Sequence, residues 1–292
     1  MNAGFIPAVG TPLDENGNLL ADSYKKQIED QIAAGAVGIL CMGSMGIEPY
    51  IRDAVYPEVA KAAVEAAAGR VPVYVGAMDT SVGRVKDRIA SVEHLDVAGF
   101  VFTTPYYNVV TPDQMISFFQ KVAALTSHSI LLYDLAVVTQ SKITYEVVLE
   151  LLRTVPNLKG IKSADTQMFR KLSRTKEVPA DFEMVYSGLD IFDVAYRWGI
   201  NKCLDGMLSC TPRNTEKCFR AMKDNDYETA AECLDNIVSL RDVMAANGIW
   251  PSYTYVMNLL GYEGNFAPDY IPGLPDGAGA KISEEMKRIG EL

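Results

Sequence analysis

Only two histidines, His94 and His128, occur in the 292 residues, and their spacing offers no metal site. No resident metal or other cofactor is expected. The five cysteines, Cys41, Cys203, Cys210, Cys218 and Cys233, include no C-x-x-C pair. An odd number without that spacing argues against a disulfide framework or a zinc site, and for reduced thiols in the cytoplasm. Positive charge is scarce: 27 Lys and Arg against 37 Asp and Glu leave a net charge of -10. Such a surface repels phosphate backbones, so nucleic acid is not an expected partner. No apolar run reaches the roughly 18 residues of a membrane span. The opening "MNAGFIPAVGTPLDENG" has no basic segment ahead of an apolar one, so it does not read as a signal peptide. G-x-G-x-x-G is absent, which removes the main sign of a dinucleotide-binding open sheet. Paired hydrolase carboxylates are not evident, and Ser44 has no histidine at a position suggesting a triad.

What is present is a rhythm. Short apolar runs at 5–9, 37–41, 71–76, 99–103, 129–133, 158–162, 183–187 and 202–209 alternate with amphipathic stretches at 22–34, 52–68, 80–94, 113–126, 144–153, 166–175, 189–198 and 213–223. Most of the apolar runs are continuous, as strands buried on both faces of a parallel sheet are. Eight strand-then-helix units in series predict an α/β protein, a (β/α)8 TIM barrel; a doubly wound open sheet is the second choice. Residues 1–223 would form the catalytic barrel and 224–292 an appended helical region. The Gly- and Pro-rich stretch 264–280 is expected to be a loop.

Barrel active sites sit at the carboxyl ends of the strands. There the sequence places Gly43-Ser44-Met45-Gly46 after the second strand, Thr104 to Asn108 after the fourth, Tyr133-Asp134 after the fifth and Lys162 after the sixth. An ammonium enclosed in an apolar mouth has its charged form disfavoured. A neutral amine there can attack a carbonyl carbon, and nearby tyrosines can move protons as an imine forms and breaks. The Gly43–Gly46 turn could hold a carboxylate on its N–H groups. The plainer alternatives are a snorkelling surface lysine, core or interface tyrosines, and an ordinary strand-to-helix turn.

Together, "TPYYN" (104–108), the tyrosine at position 133, "GIKSAD" (160–165), "GSMG" (43–46) and "SGLD" (187–190) make the chain resemble the dihydrodipicolinate synthase / N-acetylneuraminate lyase family of pyruvate-dependent class I aldolases. The resemblance runs from about residue 4 to 225. It implies a lyase in which Lys162 forms a Schiff base with pyruvate, Tyr133 transfers protons, and Ser44 and Tyr107 relay them. Tyr107 would reach in from a neighbouring subunit. It further implies that Gly43 and Met45, with Ser44, cradle the pyruvate carboxylate, that Gly188, Asp190 and Leu208 line the pocket, and that the protein is a homotetramer, a dimer of dimers.

Departures from the family's pattern bear on the substrate. Val138 stands where synthase members usually carry an arginine for the second substrate's carboxylate, and a valine cannot make that bidentate pair. Ala136 replaces a proline, Asp134 an asparagine, and Ile47 a glutamate that is shifted to Glu48. Ala164 and Asp190-Ile191 lack partners that sialic-acid lyases use for a long polyol. The first expectation is therefore a Schiff-base aldolase or lyase acting on a 2-keto acid, of the 2-keto-3-deoxy kind. The second is a dihydrodipicolinate synthase with an altered second-substrate pocket. The third is a non-catalytic binder of keto acids.

Overall fold

The continuous apolar runs become one parallel sheet. In the computed structural model, which describes residues 3–292, the strands are β1 (Gly4–Pro7), β2 (Ile39–Cys41), β3 (Val73–Gly76), β4 (Gly99–Thr103), β5 (Ser129–Tyr133), β6 (Leu158–Ser163), β7 (Glu183–Tyr186) and β8 (Lys202–Asp205). Met1 and Asn2, where the N-terminal reading begins, lie outside the described residues. The strands pair in the order β1-β8-β7-β6-β5-β4-β3-β2. A parallel bridge between Ala8 and Leu40, with Val9 N donating to Leu40 O at 3.1 Å, brings the two ends together and closes the ring. Helices separate the strands, so the architecture is the (β/α)8 barrel that the alternation predicts.

The helices follow their local signals. Thr111 caps α4 (Pro112–Ala123) by accepting from Gln114 N, while the Gln114 side chain accepts from Thr111 N at 2.9 Å, a reciprocal cap with proline in the first turn. In α3 (Val82–Val92) the inward stripe is Val85, Arg88, Ile89 and Val92, all buried. A cation inside an apolar stripe needs a buried partner. Further on come α5 (Ala136–Thr139), α6 (Tyr145–Thr154), α7 (Thr166–Leu172), α8 (Phe192–Arg197) and α9 (Met207–Cys210).

Two cores result. One lies between sheet and helices and holds Phe100, Phe102, Ile130, Leu132 and Ile161. The other fills the barrel with Ile6, Leu40, Val101, Leu131, Val185 and Leu204. At the amino-terminal end of the barrel Lys202 pairs with Glu183 at 3.0 Å, both nearly enclosed.

Most element ends move by one to four residues, and two assignments change in kind. The run 202–209 is not one strand: Asp205 Oδ1 accepts from Met207 N at 2.9 Å, turning the chain into α9. The stretch 264–280 is a loop only as far as Gly277, because α13 (Ala278–Arg288) starts at Ala278. Beyond α10 (Pro212–Lys223) the chain continues in α11 (Tyr227–Ala246), α12 (Ile249–Leu259) and α13, with α11 packed on α10, α8 and α13. Among the described residues no helix is long and apolar enough to cross a membrane.

One glycine is fixed by a close approach. A Cβ on Gly76 would stand 1.8 Å from the carbonyl oxygen of Met42, a backbone atom that cannot swing aside. Gly76→Ala should therefore cost about 3 kcal/mol or more of stability, at the upper end for overpacking. Urea unfolding would measure it, and a change within about 0.5 kcal/mol, the range of an indifferent surface substitution, would show that the β2 end can retreat freely.

Candidate active site

Alternation along β6 sends Lys162 into the barrel and its neighbours Ile161 and Ser163 to the outer wall. Lys162 is 4% exposed although it stands at the carboxyl end of the sheet. Its partner across the ladder is Tyr133 on β5. The Lys162 Nζ lies 3.8 Å from the centroid of the Tyr133 ring, whose face favours a cation and does not tie up a lone pair by hydrogen bonding. Asp205, at the end of β8, is close enough to feel the same amine. Burial pushes its carboxyl up, and the charge of Lys162 opposes that rise.

The turn after β2 is strained. Met42 and Ile47, neither of them glycine, adopt φ of 53° and 50° on either side of Gly43–Gly46. Left-handed backbone at such residues costs about 1–3 kcal/mol each and persists only where surrounding structure enforces it. Here Thr11 Oγ1 donates to Gly46 O at 2.7 Å, Ile47 N to Ser44 O at 3.0 Å and Glu48 N to Gly43 O at 3.3 Å. Met45 packs on the barrel's inner core, and Gly206 leaves room for it: a Cβ there would meet Met45 Cβ at 2.8 Å.

Glu48 anchors the far end of this turn. It is fully buried and pairs with Arg88 of α3 at 3.0 Å. Arg88 also reaches Asp79, beyond β3, at 2.9 Å, and lies 5.0 Å from the ring centroid of Tyr56. Burial drives the Glu48 carboxyl well above the usual range, with Arg88 pulling it back. Burial also acts on Asp79, but its bonds from Arg84, Thr80 N and Arg88 outweigh it and hold the carboxyl low. Tyr106 borders the group: burial, then the charges of Asp79 and Glu48, push its hydroxyl up to about 12. A cavity of about 280 Å³ beside Arg88 is lined by Asp53, Tyr56, Asp79, Arg84, Asp87 and Ser91. It is separate from the barrel mouth.

The remaining residues singled out from sequence fall in different places. Ser44 is half-buried in the turn, and Gly43 backs onto Leu40, 2.8 Å from where its Cβ would be. Tyr107 is 83% exposed, so within one chain it does not close over Lys162. Gly188 faces the Tyr186 hydroxyl, 2.7 Å from where its Cβ would be. Asp190 is held by both terminal nitrogens of Arg241 at 2.8 and 2.9 Å. Val138, on α5, is 57% exposed beside Val137. Leu208 sits on α9 in the outer core, whereas Leu204 of β8 faces the barrel interior. Sequence reading passed over Leu204, Asp205, Arg241 and the Glu48–Arg88–Asp79 group. The legible hints to that last group were the displaced glutamate at Glu48 and the arginine inside the apolar stripe of α3.

A lysine inside a closed parallel barrel, at the carboxyl ends of its strands and against a tyrosine ring, stands where (β/α)8-barrel enzymes carry their sites. The chain belongs to the dihydrodipicolinate synthetase family, whose model matches residues 1–268. Among curated relatives, it is 28% identical over 291 residues to the 4-hydroxy-tetrahydrodipicolinate synthase of Cereibacter sphaeroides, covering 99% of each chain. It is 27% identical to that of Acidiphilium cryptum, again covering 99% of each. Solved structures share the fold. A prophage protein of E. coli from the same family, determined in complex with pyruvate, superposes with a TM-score of 0.90 at 20% identity, with full coverage of both chains. The N-acetylneuraminate lyase of Proteus mirabilis gives 0.90 at 17% identity, covering 100% of this chain and 99% of that one.

Proposed function

We propose that this chain is a lyase of the class I aldolase type that forms a Schiff base between Lys162 and pyruvate, acting on a 2-keto acid of the 2-keto-3-deoxy kind. The observation that carries the reading is the Lys162 amine, enclosed at the barrel mouth 3.8 Å over the Tyr133 ring. The neutral amine attacks C2 of the keto acid. The carbinolamine loses its oxygen as water and leaves a protonated imine. Tyr133, having given its proton to the departing water, takes the proton of the C4 hydroxyl as that cation draws in the electron pair of the C3–C4 bond, so C4 leaves as the aldehyde and an enamine remains. Protonation of the enamine at C3 and hydrolysis of the imine release pyruvate and restore the amine.

Tyr133 is the proton-transfer group beside the imine, and Ser44 and Tyr107 complete the relay. The backbone at Gly43–Met45 takes the keto-acid carboxylate, and Gly188, Asp190 and Val138 shape the remainder of the pocket, to which Leu208 contributes only from behind, through the outer core. An 83% exposed Tyr107 is a surplus residue in one chain and a useful one in a neighbour's mouth. This supports a homotetramer built as a dimer of dimers. We assign residues 1–223 to the catalytic barrel, 224–292 to its helical appendage, and the protein to the cytoplasm. No cofactor enters the reaction.

Borohydride reduction in the presence of pyruvate should add one covalent mass to Lys162, and a panel of 2-keto-3-deoxy acids should then reveal pyruvate release. An unmodified chain would overturn the reading; an adduct without turnover on any acid would point to a keto-acid binder. A second reading, dihydrodipicolinate synthase, is favoured by the names of the relatives at 27–28% identity. Exposed Val137 and Val138 oppose it, since they offer no cation to a second carboxylate. Ordinary rates of condensation of pyruvate with aspartate semialdehyde would establish it.

A further inference from the structure

We propose that Asp134 is a positioning residue that fixes the direction of Lys162 through the hydroxyl of Ser163. The proposal rests on the reading of Lys162 as the imine-forming amine. Tyr133 and Lys162 face each other across β5 and β6. The next residue in each segment, Asp134 just beyond β5 and Ser163 at the end of β6, turns to the outer wall, and there the two side chains meet: Ser163 Oγ donates to Asp134 Oδ2 at 2.7 Å. Asp134 N also donates to Lys162 O at 2.9 Å. One residue therefore grips the peptide that follows Lys162 from both its backbone and its side chain.

The grip is itself braced. Asp134 Oδ1 accepts from Ile143 N at 3.1 Å, and Lys142 Nζ bonds Asp134 Oδ2 while lying 3.1 Å from Asp165 Oδ2. Ser163 Oγ accepts from Asp165 N at 3.0 Å, and Ser163 O accepts from Ser187 N at 3.1 Å on the β7 side. Ser163 is fully buried and the Asp134 side chain is 5% exposed, so water does not substitute for these bonds. A serine hydroxyl has one proton, and it goes to Asp134; a carboxylate only accepts, and each of its oxygens is used. Neither side chain reaches the barrel interior. Their effect on chemistry passes through the angle at which β6 presents Lys162 to a carbonyl, a geometry in which a shift of roughly 1 Å costs about 100-fold in rate.

The test is the rate of borohydride-trapped imine formation at saturating pyruvate, scored per folded molecule. Asp134→Ala should slow it roughly 10- to 100-fold, with the half-saturating pyruvate concentration changed less than about threefold. Asp134→Asn keeps an oxygen for Ser163 but sets its amide NH2 against Ile143 N, so its rate should fall between those of Asp134→Ala and the wild type. Ser163→Ala removes one oxygen from the wall, reproduces the Asp134→Ala loss, and keeps the test open should Asp134→Ala not fold. Combined, the two alanines should lose no more than either alone. Wild-type trapping rates in both alanine variants would overturn the proposal. So would a loss in Asp134→Ala that Ser163→Ala does not share. If the wild-type chain itself traps no pyruvate, the reading of Lys162 fails instead.

Discussion

Lys162→Met is expected to abolish covalent capture of pyruvate and to reduce turnover by roughly 10⁴-fold or more, as losing a nucleophile does elsewhere. Methionine is close to lysine in length and suits an interior site, so the barrel should persist. Lys162→Arg separates two contributions of the amine. It keeps a positive charge beside Tyr133 and Asp205 but cannot lose a proton to become a nucleophile. If charge alone mattered, the arginine variant would retain activity; we expect it to be as inactive as the methionine one. Mass spectrometry after borohydride reduction and single-turnover pyruvate release check both. Turnover within about tenfold of the wild type in either variant would move the chemistry to another residue.

The second large effect is on stability. Arg88 is 6% exposed and stands between Glu48, fully buried, and Asp79, 2% exposed. Arg88→Met leaves those carboxylates enclosed without the cation between them, and breaking a buried pair this way costs about 3–5 kcal/mol. For a chain of this size that corresponds to a fall in Tm of roughly 10 °C. Glu48 already sits well above the usual carboxylate range through burial, against the pull of Arg88, and would rise further without it. A group whose folded-state pKa exceeds its unfolded value of about 4.5 binds a proton on folding. Its destabilising effect is therefore largest above the folded pKa and shrinks as pH falls toward the unfolded one. The melting deficit of Arg88→Met should therefore narrow as pH falls from the raised folded-state pKa of Glu48 in the variant to its lower folded-state pKa in the wild type. A deficit that widens as pH falls would mean that Glu48 is not the stranded charge. Glu48→Leu/Arg88→Leu should melt closer to the wild type than Arg88→Met does, because no unpaired Glu48 remains and Asp79 keeps Arg84 at 2.7 Å. The turn carrying Ser44 and Met45 ends at Glu48, so loosening this group should also weaken pyruvate capture.

Legibility from sequence varied with how local the determinant was. The runs 99–103 and 129–133 are β4 and β5 without adjustment, because strands buried on both faces are apolar throughout and the adjoining segments are not. The run 202–209 misled because β8 and α9 are short, enclosed neighbours separated only by Gly206, and periodicity cannot divide segments of four residues each. Alternation on a strand starting at Lys202 points Leu204 inward, a placement that the over-long run obscured. Asp190 stood out as a pocket residue, yet its partner Arg241 comes from a helix 51 residues later.

By itself, the sequence determined that eight strand–helix units alternate, that their connections permit a right-handed barrel, and that Lys162 falls at the carboxyl end of the sixth strand, since each of these is written in the spacing of apolar residues along a few turns of chain. Only the tertiary structure decided that Lys162 lies over Tyr133, that Arg88 ties Glu48 to Asp79, and that Asp134 grips Ser163. Those pairings depend on barrel closure, strand register and the direction of individual side chains, which are through-space properties of the packed whole.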